Sequence, residues 1–280
     1  MPPNDGRQTL PLHATIDTPE NLRCVENRPH HAGLLFDKYC DAWRLRETGP
    51  IDTNGKHAAA WLSSIFMRCV GDRVELQCHR DRRNELLRAL GGLCMTYATD
   101  WHLATGLGNA HPIGNGFAWH PTLGVPFLAS SAIKGLLKHW LDEWADGADP
   151  RCAQWLGSDE AAGTVAVFDA LPIGPVQLVP DVMTPHRGKW YVDGGLAHGD
   201  QIDGQRVPAD WFEPIPVPFL CVKDATYEFM LAPTSRLPTG DHKEALCQLF
   251  EHLDDALRVL GIGAKTDAGY GRMTLVETHD

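Results

Sequence analysis

Residues 130–144 read SSAIKGLLKHWLDEW and form the most regular segment of the chain. Apolar side chains recur in it every three or four positions: Ile133, Leu136, Leu137, Trp140, Leu141 and Trp144. This spacing predicts an amphipathic helix that packs one face against a core. Ser130 or Ser131 is the expected N-cap, because a serine hydroxyl can accept a hydrogen bond from the free amides of the first turn.

Strands and a second helix are predicted on either side of this helix. The expected strands lie at about 95–105, 163–170, 226–232 and 272–278. The second helix has one apolar face, formed by Leu246, Leu249, Phe250, Leu253, Leu257 and Leu260, and Gly261 is placed to terminate it. The order strand, helix, strand, strand, helix, strand is that of a ferredoxin-like (RRM-like) α+β sandwich, with two helices on one face of a four-stranded antiparallel sheet.

Two further regions flank or interrupt this unit. Residues 1–94 are predicted to be an N-terminal helical extension packed on the core, after an irregular lead-in of about 31 residues, and residues 95–280 are the main domain. Within it, residues 171–218 hold eight prolines and six glycines and are expected to be a long insertion without regular structure. Its aromatic and basic residues suggest that it contacts a partner: His186, Arg187, Lys189, Trp190 and Tyr191.

Composition excludes some classes of function. With 36 acidic and 25 basic residues the net charge is −11, so the chain is not a polycation that coats nucleic acid. No apolar run of about 18 residues and no signal sequence occur, which predicts a cytoplasmic protein without a membrane partner. The eight cysteines form no CxxC pair and are expected to be reduced and buried; a metal site around Cys69, Cys78, His79 and Cys94 is the less favoured alternative.

One segment departs from the acidic average. No carboxylate occurs between Asp100 and Asp142, whereas the segment carries Lys134, Lys138 and four histidines (102, 111, 120 and 139). Its glycines, asparagines and prolines leave backbone amides exposed, and it leads into a helix N-terminus, which attracts anions. We therefore expect a phosphate site here; the alternative is a connecting loop followed by a solvated helix flank.

A second glycine-rich loop follows the second predicted helix. Residues 261–271 read GIGAKTDAGYG and are followed by Arg272. Glycines permit a close backbone approach to a ligand, while Lys265, Thr266 and the amides supply charge and donors. A nucleotide P-loop is excluded, because Ala264 and Val259 occupy required glycine positions and the loop follows a helix. A plain connection remains the alternative.

Signs of catalysis are weak. The histidine spacings fit no metal chelate, no GxSxG motif occurs, and no acidic pair lies in the glycine-rich segments. No metal and no cofactor are therefore expected. Most tryptophans lie on apolar faces, so Trp190 and Tyr191 are the preferred candidates for stacking on a base.

The two glycine-rich segments resemble a known family. GLGNAHPIGNGFAWHPTLGVPFLASSAIKG (106–135) resembles the signature of the repeat-associated mysterious protein (RAMP) superfamily, with matches at Gly124, Pro126, Ser131, Ile133, Lys134 and Gly135. FDA (168–170) and GIGAKTDAGYGR (261–272) resemble its later motifs. DVMTPHRGKWY (181–191) is similar to a stretch of one branch, subunit six of the type III-B CRISPR effector (Cmr) complex, and the whole resemblance covers about 95–277.

This resemblance implies a non-catalytic RNA-binding RAMP subunit of a CRISPR ribonucleoprotein. Such a subunit holds guide RNA, and the guide–target duplex, toward the 3′ end. It contacts other RAMP subunits of the complex, namely backbone subunit four and subunit one. The family's RNA-cutting subunits use an aspartate after the first strand, and NAHPIGNG (109–116) has none. The candidate RNA-binding residues are Ser131, Lys134, Lys138, Gly261, Gly263, Lys265, Thr266, Gly269, Gly271, Arg272, His111, Asn115, Arg187 and Lys189.

Two other functions stay open at this point. The first is a metal-independent endoribonuclease that processes CRISPR transcripts, with His111 as general acid or base. The second is a chiefly structural protein whose 171–218 excursion docks neighbouring subunits. Charge is compatible with RNA binding, because segments 101–141 and 261–273 carry +2 and +1 and the remaining regions carry −14.

Overall fold

The computed structural model describes residues 31–40, 43–44, 52–53, 55–66, 69–145, 147, 149–158, 160–185 and 216–276. The helices are α1 (Ala32–Lys38), α2 (Gly55–Phe66), α3 (Arg73–Leu90), α4 (Ser130–Glu143), α5 (Arg151–Leu156) and α6 (His242–Val259). The strands are β1 (Trp43–Arg44), β2 (Asp52–Thr53), β3 (Cys69–Val70), β4 (Leu93–Thr99), β5 (Val165–Val167), β6 (Leu171–Pro172), β7 (Val176–Met183), β8 (Val217–Lys223), β9 (Thr226–Pro233) and β10 (Met273–Leu275). The predicted irregular lead-in lies outside the described residues.

The main sheet has the strand order β10-β4-β9-β5, with every neighbouring pair antiparallel, and β6 also pairs with β9. The register between β4 and β9 runs from Leu93 opposite Leu231 to Ala98 opposite Thr226. Tyr97 lies opposite Tyr227, and both are fully buried. All four strands predicted from the sequence are therefore present, each shorter than or close to its expected span.

Helices α4 and α6 supply the core of this unit. Ile133, Leu137 and Trp140 of α4 are buried, and α6 buries seven residues on one face, as its periodicity predicts. Gly261 follows α6 with a φ of +78°, and its N–H donates to the carbonyl of Ala256, so its predicted terminating role is confirmed. The α+β class is confirmed as well.

Two details of α4 differ from the prediction. The N-cap is Ala129 and not a serine, because the helix already begins at Ser130. Trp144 was expected on the apolar face but is 52% exposed, because the helix ends at Glu143 and the backbone at Trp144 leaves the helical conformation.

The N-terminal helices join the same core. Phe36 of α1, Trp61 and Phe66 of α2 and Trp119 belong to one buried cluster that reaches Met273. Asp72 caps α3, where its Oδ1 accepts hydrogen bonds from the amides of Val74 and Glu75. In the described part of residues 1–94, helices α1, α2 and α3 alternate with the short strands β1 to β3, and Trp43, which the sequence places in a helical pattern, lies in β1.

The expectation of an irregular insertion is wrong for its described part. Strands β7 and β8 are antiparallel and pair from Gln177 opposite Lys223 to Met183 opposite Val217. Pro180 is tolerated in β7 because the third strand of this sheet, β3, pairs only with Val176 and Gln177. Of the eight prolines that suggested a loop, Pro180 and Pro218 therefore lie in the paired strands of this hairpin, and Pro172 lies in β6. Residues 186–215 lie outside the described residues.

The cysteine prediction holds in part. The described cysteines form no disulfide with one another, but Cys69 and Cys78 are exposed and not buried, because both lie on outward positions of β3 and α3. Among the helices that the structure describes, none is long and apolar enough to cross a membrane.

Candidate nucleic-acid interface

A groove of about 740 Å³ lies between α4 and the loop that follows α6. Ala132, Gly135, Leu136 and His139 line it from α4. Gly261, Gly263, Thr266, Asp267 and Arg272 line it from the loop. The groove therefore joins the helix that ends the acid-free segment to the C-terminal glycine-rich loop, the two elements from which the sequence predicts a phosphate site.

Glycine is required at two positions of the C-terminal loop. Gly271 has a φ of +71°, and a Cβ there would lie 1.9 Å from the carbonyl oxygen of Ile262. A Cβ on Gly263, whose φ is +100°, would lie 2.3 Å from the carbonyl oxygen of Ala104. The same contacts hold the loop in place, since Ile262 N–H donates to Gly271 and Ala264 N–H donates to Ala104. The loop is thus fastened to the segment that follows β4.

The glycine amides differ from the prediction in what they bind. Gly269 N–H donates to the carbonyl of Thr266, and Gly271 N–H donates to the carbonyl of His102. A backbone N–H has one hydrogen to donate. These two amides donate it within the protein and therefore cannot donate to a phosphate. The expectation that they bind phosphate is therefore wrong. Gly263 lines the groove and remains a predicted contact position.

The cations of the groove also differ from those expected. Lys265 Nζ lies 5.4 Å from the centroid of the Phe219 ring and 5.9 Å from that of Tyr270, so its charge rests over aromatic rings. Lys134 and Lys138 are half-buried on a flank of α4, and neither they nor Lys265 are among the described residues that line the groove. Its basic side chains are Arg272, which is exposed, and His139.

The N-terminus of α4 holds a carboxylate of the chain itself. Asp169 Oδ1 accepts a hydrogen bond of 2.6 Å from the backbone N–H of Ser130, the first residue of the helix. The Asp169 carbonyl accepts another from Arg83. The sequence predicts a phosphate at this helix end, whereas the structure places the carboxylate of the FDA motif on the Ser130 amide. The exposed Ser131 remains a prediction as an RNA contact.

His111 and Asn115 are engaged inside the protein. The ring of His111 stacks on Phe36 with a centroid distance of 4.1 Å. Its Nε2 lies 2.9 Å from the Phe36 carbonyl oxygen, and its Nδ1 accepts a hydrogen bond from the amide of Ile113. Burial lowers the pKa of His111, although the Phe36 carbonyl and Asp37 act in the opposite direction. Asn115 Nδ2 donates to the carbonyl of Pro218. Both side chains therefore fix their loop against neighbouring elements.

An aromatic cluster beside the loop was missed by the sequence analysis. Trp101 is 48% exposed, and its ring stacks on His102 with a centroid distance of 4.6 Å and an angle of 10°. It also lies 4.8 Å from Tyr270 of the glycine-rich loop. The signal was the Trp-His pair at the start of the acid-free segment. The residues preferred for stacking, Trp190 and Tyr191, lie outside the described residues together with His186, Arg187 and Lys189.

Tyr270 connects this cluster to the β7–β8 hairpin. Its hydroxyl donates a 2.6 Å hydrogen bond to Asp181 Oδ2. Burial by itself raises the pKa of Asp181, but the hydrogen bonds from Tyr270 and from the Val182 amide, together with the neighbouring His102, outweigh it and hold that pKa below its ordinary value. Burial and the Asp181 carboxylate together raise the pKa of Tyr270. The tyrosine therefore keeps its proton and its hydrogen bond at neutral pH.

Comparison with known proteins gives consistent matches. The chain is 27% identical to the CRISPR system Cmr subunit Cmr6 of Pyrococcus furiosus, over 68% of this chain and 69% of that protein. It is 26% identical to the Cmr6 subunit of Saccharolobus solfataricus, over 48% of each chain. A chain of the type III-B Cmr-beta complex bound to cognate target RNA superposes with a TM-score of 0.57 at 22% identity, covering 80% of this chain and 71% of that one, which shows a shared fold.

The family assignment rests on the domain that forms the groove. The resemblance to the subunit-six branch is confirmed by both curated relatives. The model of the RAMP superfamily matches residues 95–274, which include α4, α6 and the C-terminal glycine-rich loop. Because this match spans well over half of the chain, the chain belongs to the RAMP superfamily.

Proposed function

We propose that the chain is a non-catalytic, RNA-binding subunit of a cytoplasmic type III-B CRISPR ribonucleoprotein. It holds guide RNA, and the guide–target duplex, toward the 3′ end. Its partners in the complex are other RAMP subunits, namely backbone subunit four and subunit one. The similarity to relatives named as Cmr6 subunits supports the proposed membership of such a complex. The target RNA in the superposed complex supports RNA as the proposed ligand.

The architecture we propose is a ferredoxin-like, RRM-like domain. Its first strand, β4, lies between the last strand, β10, and the third, β9, and helices α4 and α6 follow the first and third strands. The part of the insertion that the structure describes is the β7–β8 hairpin. The segment that follows β4 and the loop that follows α6 are hydrogen-bonded to each other, since the amides of Ala264 and Gly271 donate to the carbonyls of Ala104 and His102.

The observation that carries the proposal is the groove itself. It offers an exposed arginine, Arg272, beside backbone that glycines allow a ligand to approach. Trp101 is exposed close to Arg272, because the N–H of the preceding residue, Asp100, donates to the Arg272 carbonyl. One cation with one aromatic ring suits a nucleotide whose phosphate is bound and whose base is stacked. None of these groups is proposed to bind the hydrogen-bonding edge of a base. Recognition of the RNA sequence would therefore depend on base pairing between guide and target.

A non-catalytic role is supported by the state of the histidine that was the candidate acid or base. Both ring nitrogens of His111 have partners within the protein, and the ring is packed on Phe36. A general acid or base must reach the proton that it transfers, and these contacts leave no ring nitrogen for a substrate. His139 lines the groove, but no described carboxylate is within salt-bridge distance of it to orient its ring.

The experiment compares two arginine variants. We expect Arg272→Ala to weaken binding of single-stranded guide RNA by about tenfold and to flatten the slope of log affinity against log salt by about 0.7, the value for one lost phosphate contact. Arg236→Ala is the matched control, because Arg236 is also exposed but follows β9 at the opposite end of the sheet. Equal salt slopes for the two variants would reject the groove as the RNA site.

A further inference from the structure

Three side chains of metal-ligating type meet behind the glycine-rich loop. One ligand atom each of His102, Asp181 and Cys221 lies within 4.8 Å of the others. Cys221 is fully buried, and the side chains of His102 and Asp181 are 17% and 29% exposed. The cluster is separate from the groove, since none of the three lines it among the described residues.

Strand register explains why the carboxylate and the thiol share one face. In the β7–β8 hairpin, Asp181 lies opposite Phe219 and Val179 lies opposite Cys221. Residues two apart along a strand project on the same side, so Asp181 and Cys221 are diagonal neighbours. His102 reaches them from the side, because Leu103 forms a bridge with Val222. Three different stretches of chain therefore contribute one ligand each.

The distances between the three ligand atoms are close to those of a tetrahedral metal site. His102 Nδ1 and Asp181 Oδ2 are 3.4 Å apart. Zinc bonds of about 2.0–2.3 Å place the ligand atoms of a tetrahedral site about 3.3–3.8 Å from one another. The nitrogen and oxygen are thus already at the spacing for a shared ion. The sulfur, which lies within 4.8 Å of both, has to approach them by up to about 1.3 Å.

The state of the polar atoms favours a ligand over a simple internal contact. His102 Nδ1 is buried and makes no hydrogen bond with any described group. The contact of this nitrogen with Asp181 Oδ2, at 3.4 Å, is longer than an ordinary hydrogen bond, so the buried nitrogen keeps the capacity to bind an ion that it shares with the carboxylate. Asp181 Oδ2 also accepts the hydrogen bond from Tyr270, the kind of outer contact that orients a metal-binding carboxylate.

We propose that His102, Asp181 and Cys221 bind one divalent transition-metal ion, with Zn²⁺ as the preferred ion. A thiolate with an imidazole selects Zn²⁺ over Mg²⁺ and Ca²⁺, which prefer oxygen ligands. The Cys221 thiol releases its proton on binding, and the thiolate and carboxylate balance the charge of the ion. The bound ion links the β7–β8 hairpin to the segment after β4 and, through Tyr270, to the glycine-rich loop.

The test is a Co²⁺ titration of the chelator-treated full chain. The background is Cys69→Ser/Cys78→Ser, because these two thiols are exposed and could bind cobalt on their own. We expect one equivalent of Co²⁺ to produce a thiolate-to-cobalt charge-transfer band. Cys221→Ser should abolish the band, whereas Cys152→Ser, which removes another buried thiol, should retain it.

Two further variants keep the test independent of damage to the fold. His102→Gln leaves the thiol in place and should weaken the cobalt affinity by more than tenfold, and Tyr270→Phe should weaken it by about tenfold through the lost outer hydrogen bond. Circular dichroism confirms the fold of each variant before titration. Absence of the band in the parent chain, or an unchanged band in folded Cys221→Ser or His102→Gln, would overturn the proposal.

Discussion

Asp169 caps helix α4 through a 2.6 Å hydrogen bond from the Ser130 amide to its Oδ1, although 39 residues separate the two in sequence. The first turn of this helix contains no acidic residue, and Ala129 provides no side-chain cap. The carboxylate therefore satisfies an amide that would otherwise lack a partner. Its negative charge also interacts favourably with the positive end of the helix dipole. This long-range cap fixes α4, which forms one wall of the groove, to the segment that follows β5.

Loss of this cap should destabilise the protein. We expect Asp169→Ala to lower the free energy of unfolding by about 1–2 kcal/mol, the usual cost of removing a side-chain cap, and Asp169→Asn to cost less because its amide oxygen can still accept. Urea unfolding followed by circular dichroism measures both. An unchanged free energy of unfolding in Asp169→Ala would show that the cap contributes nothing.

Three half-buried histidines should make stability depend on pH. Burial lowers the pKa values of His79, His111 and His120 below the ordinary 6.5. As the pH falls below about 6.5, the unfolded chain takes up protons that these folded histidines do not, so stability decreases through that window. Above it, the histidines are neutral in both states and contribute no dependence.

The contribution of His111 can be measured separately. His111→Gln removes the titrating group, and its side-chain amide, which reaches about as far as Nε2 of the imidazole, can still donate to the Phe36 carbonyl. We expect a shallower decline of the free energy of unfolding between pH 7 and pH 5 than in the parent chain. If the two declines coincide, His111 does not titrate differently in the folded and unfolded states.

Two glycines of one loop should respond differently to the same substitution. Both have positive φ, but a Cβ on Gly271 would strike the Ile262 carbonyl, whereas a Cβ on Gly269 would meet nothing within 4 Å. Gly269→Ala should cost about 1 kcal/mol from backbone strain, and Gly271→Ala about 3 kcal/mol or more. Thermal unfolding of both variants provides the comparison, and equal costs would contradict the loop packing.

Trp101 should contribute to RNA binding through stacking. Replacing a stacking aromatic by alanine costs about 1–3 kcal/mol per base, so Trp101→Ala should weaken RNA affinity by roughly 5- to 150-fold. Trp101→Phe retains an aromatic face and should bind nearly as well as the parent chain. Fluorescence anisotropy with labelled RNA at fixed salt measures the three affinities. Parent-like affinity in Trp101→Ala would remove this residue from the interface.

Periodicity was sufficient to predict the main elements of the fold. The apolar spacings around Ile133 and Leu253 predict α4 and α6, and the strand order follows from the elements between them. The number of prolines led to a wrong prediction of irregular structure around Pro180. A proline is tolerated in a strand at a point where only one neighbouring strand pairs with it. That information belongs to the sheet and is absent from the local sequence.

The candidate site was predicted at the level of segments and less well at the level of residues. The glycine-rich motifs locate both walls of the groove, but they do not show where Lys265 or the Gly271 amide points. The cap from Asp169 and the cluster of His102 with Asp181 depend on contacts between distant parts of the chain. Such contacts follow from tertiary packing, which spacing alone cannot supply.

The groove between α4 and the glycine-rich loop is tested most directly by photocrosslinking. Guide RNA carrying 4-thiouridine is irradiated with the purified chain, and the crosslinked peptides are identified by mass spectrometry. We predict crosslinks within residues 132–144 and 261–272 and at Trp101, and we expect Arg272→Ala to reduce them. Crosslinks confined to the surface of α3, with none on either wall of the groove, would contradict the proposed RNA site.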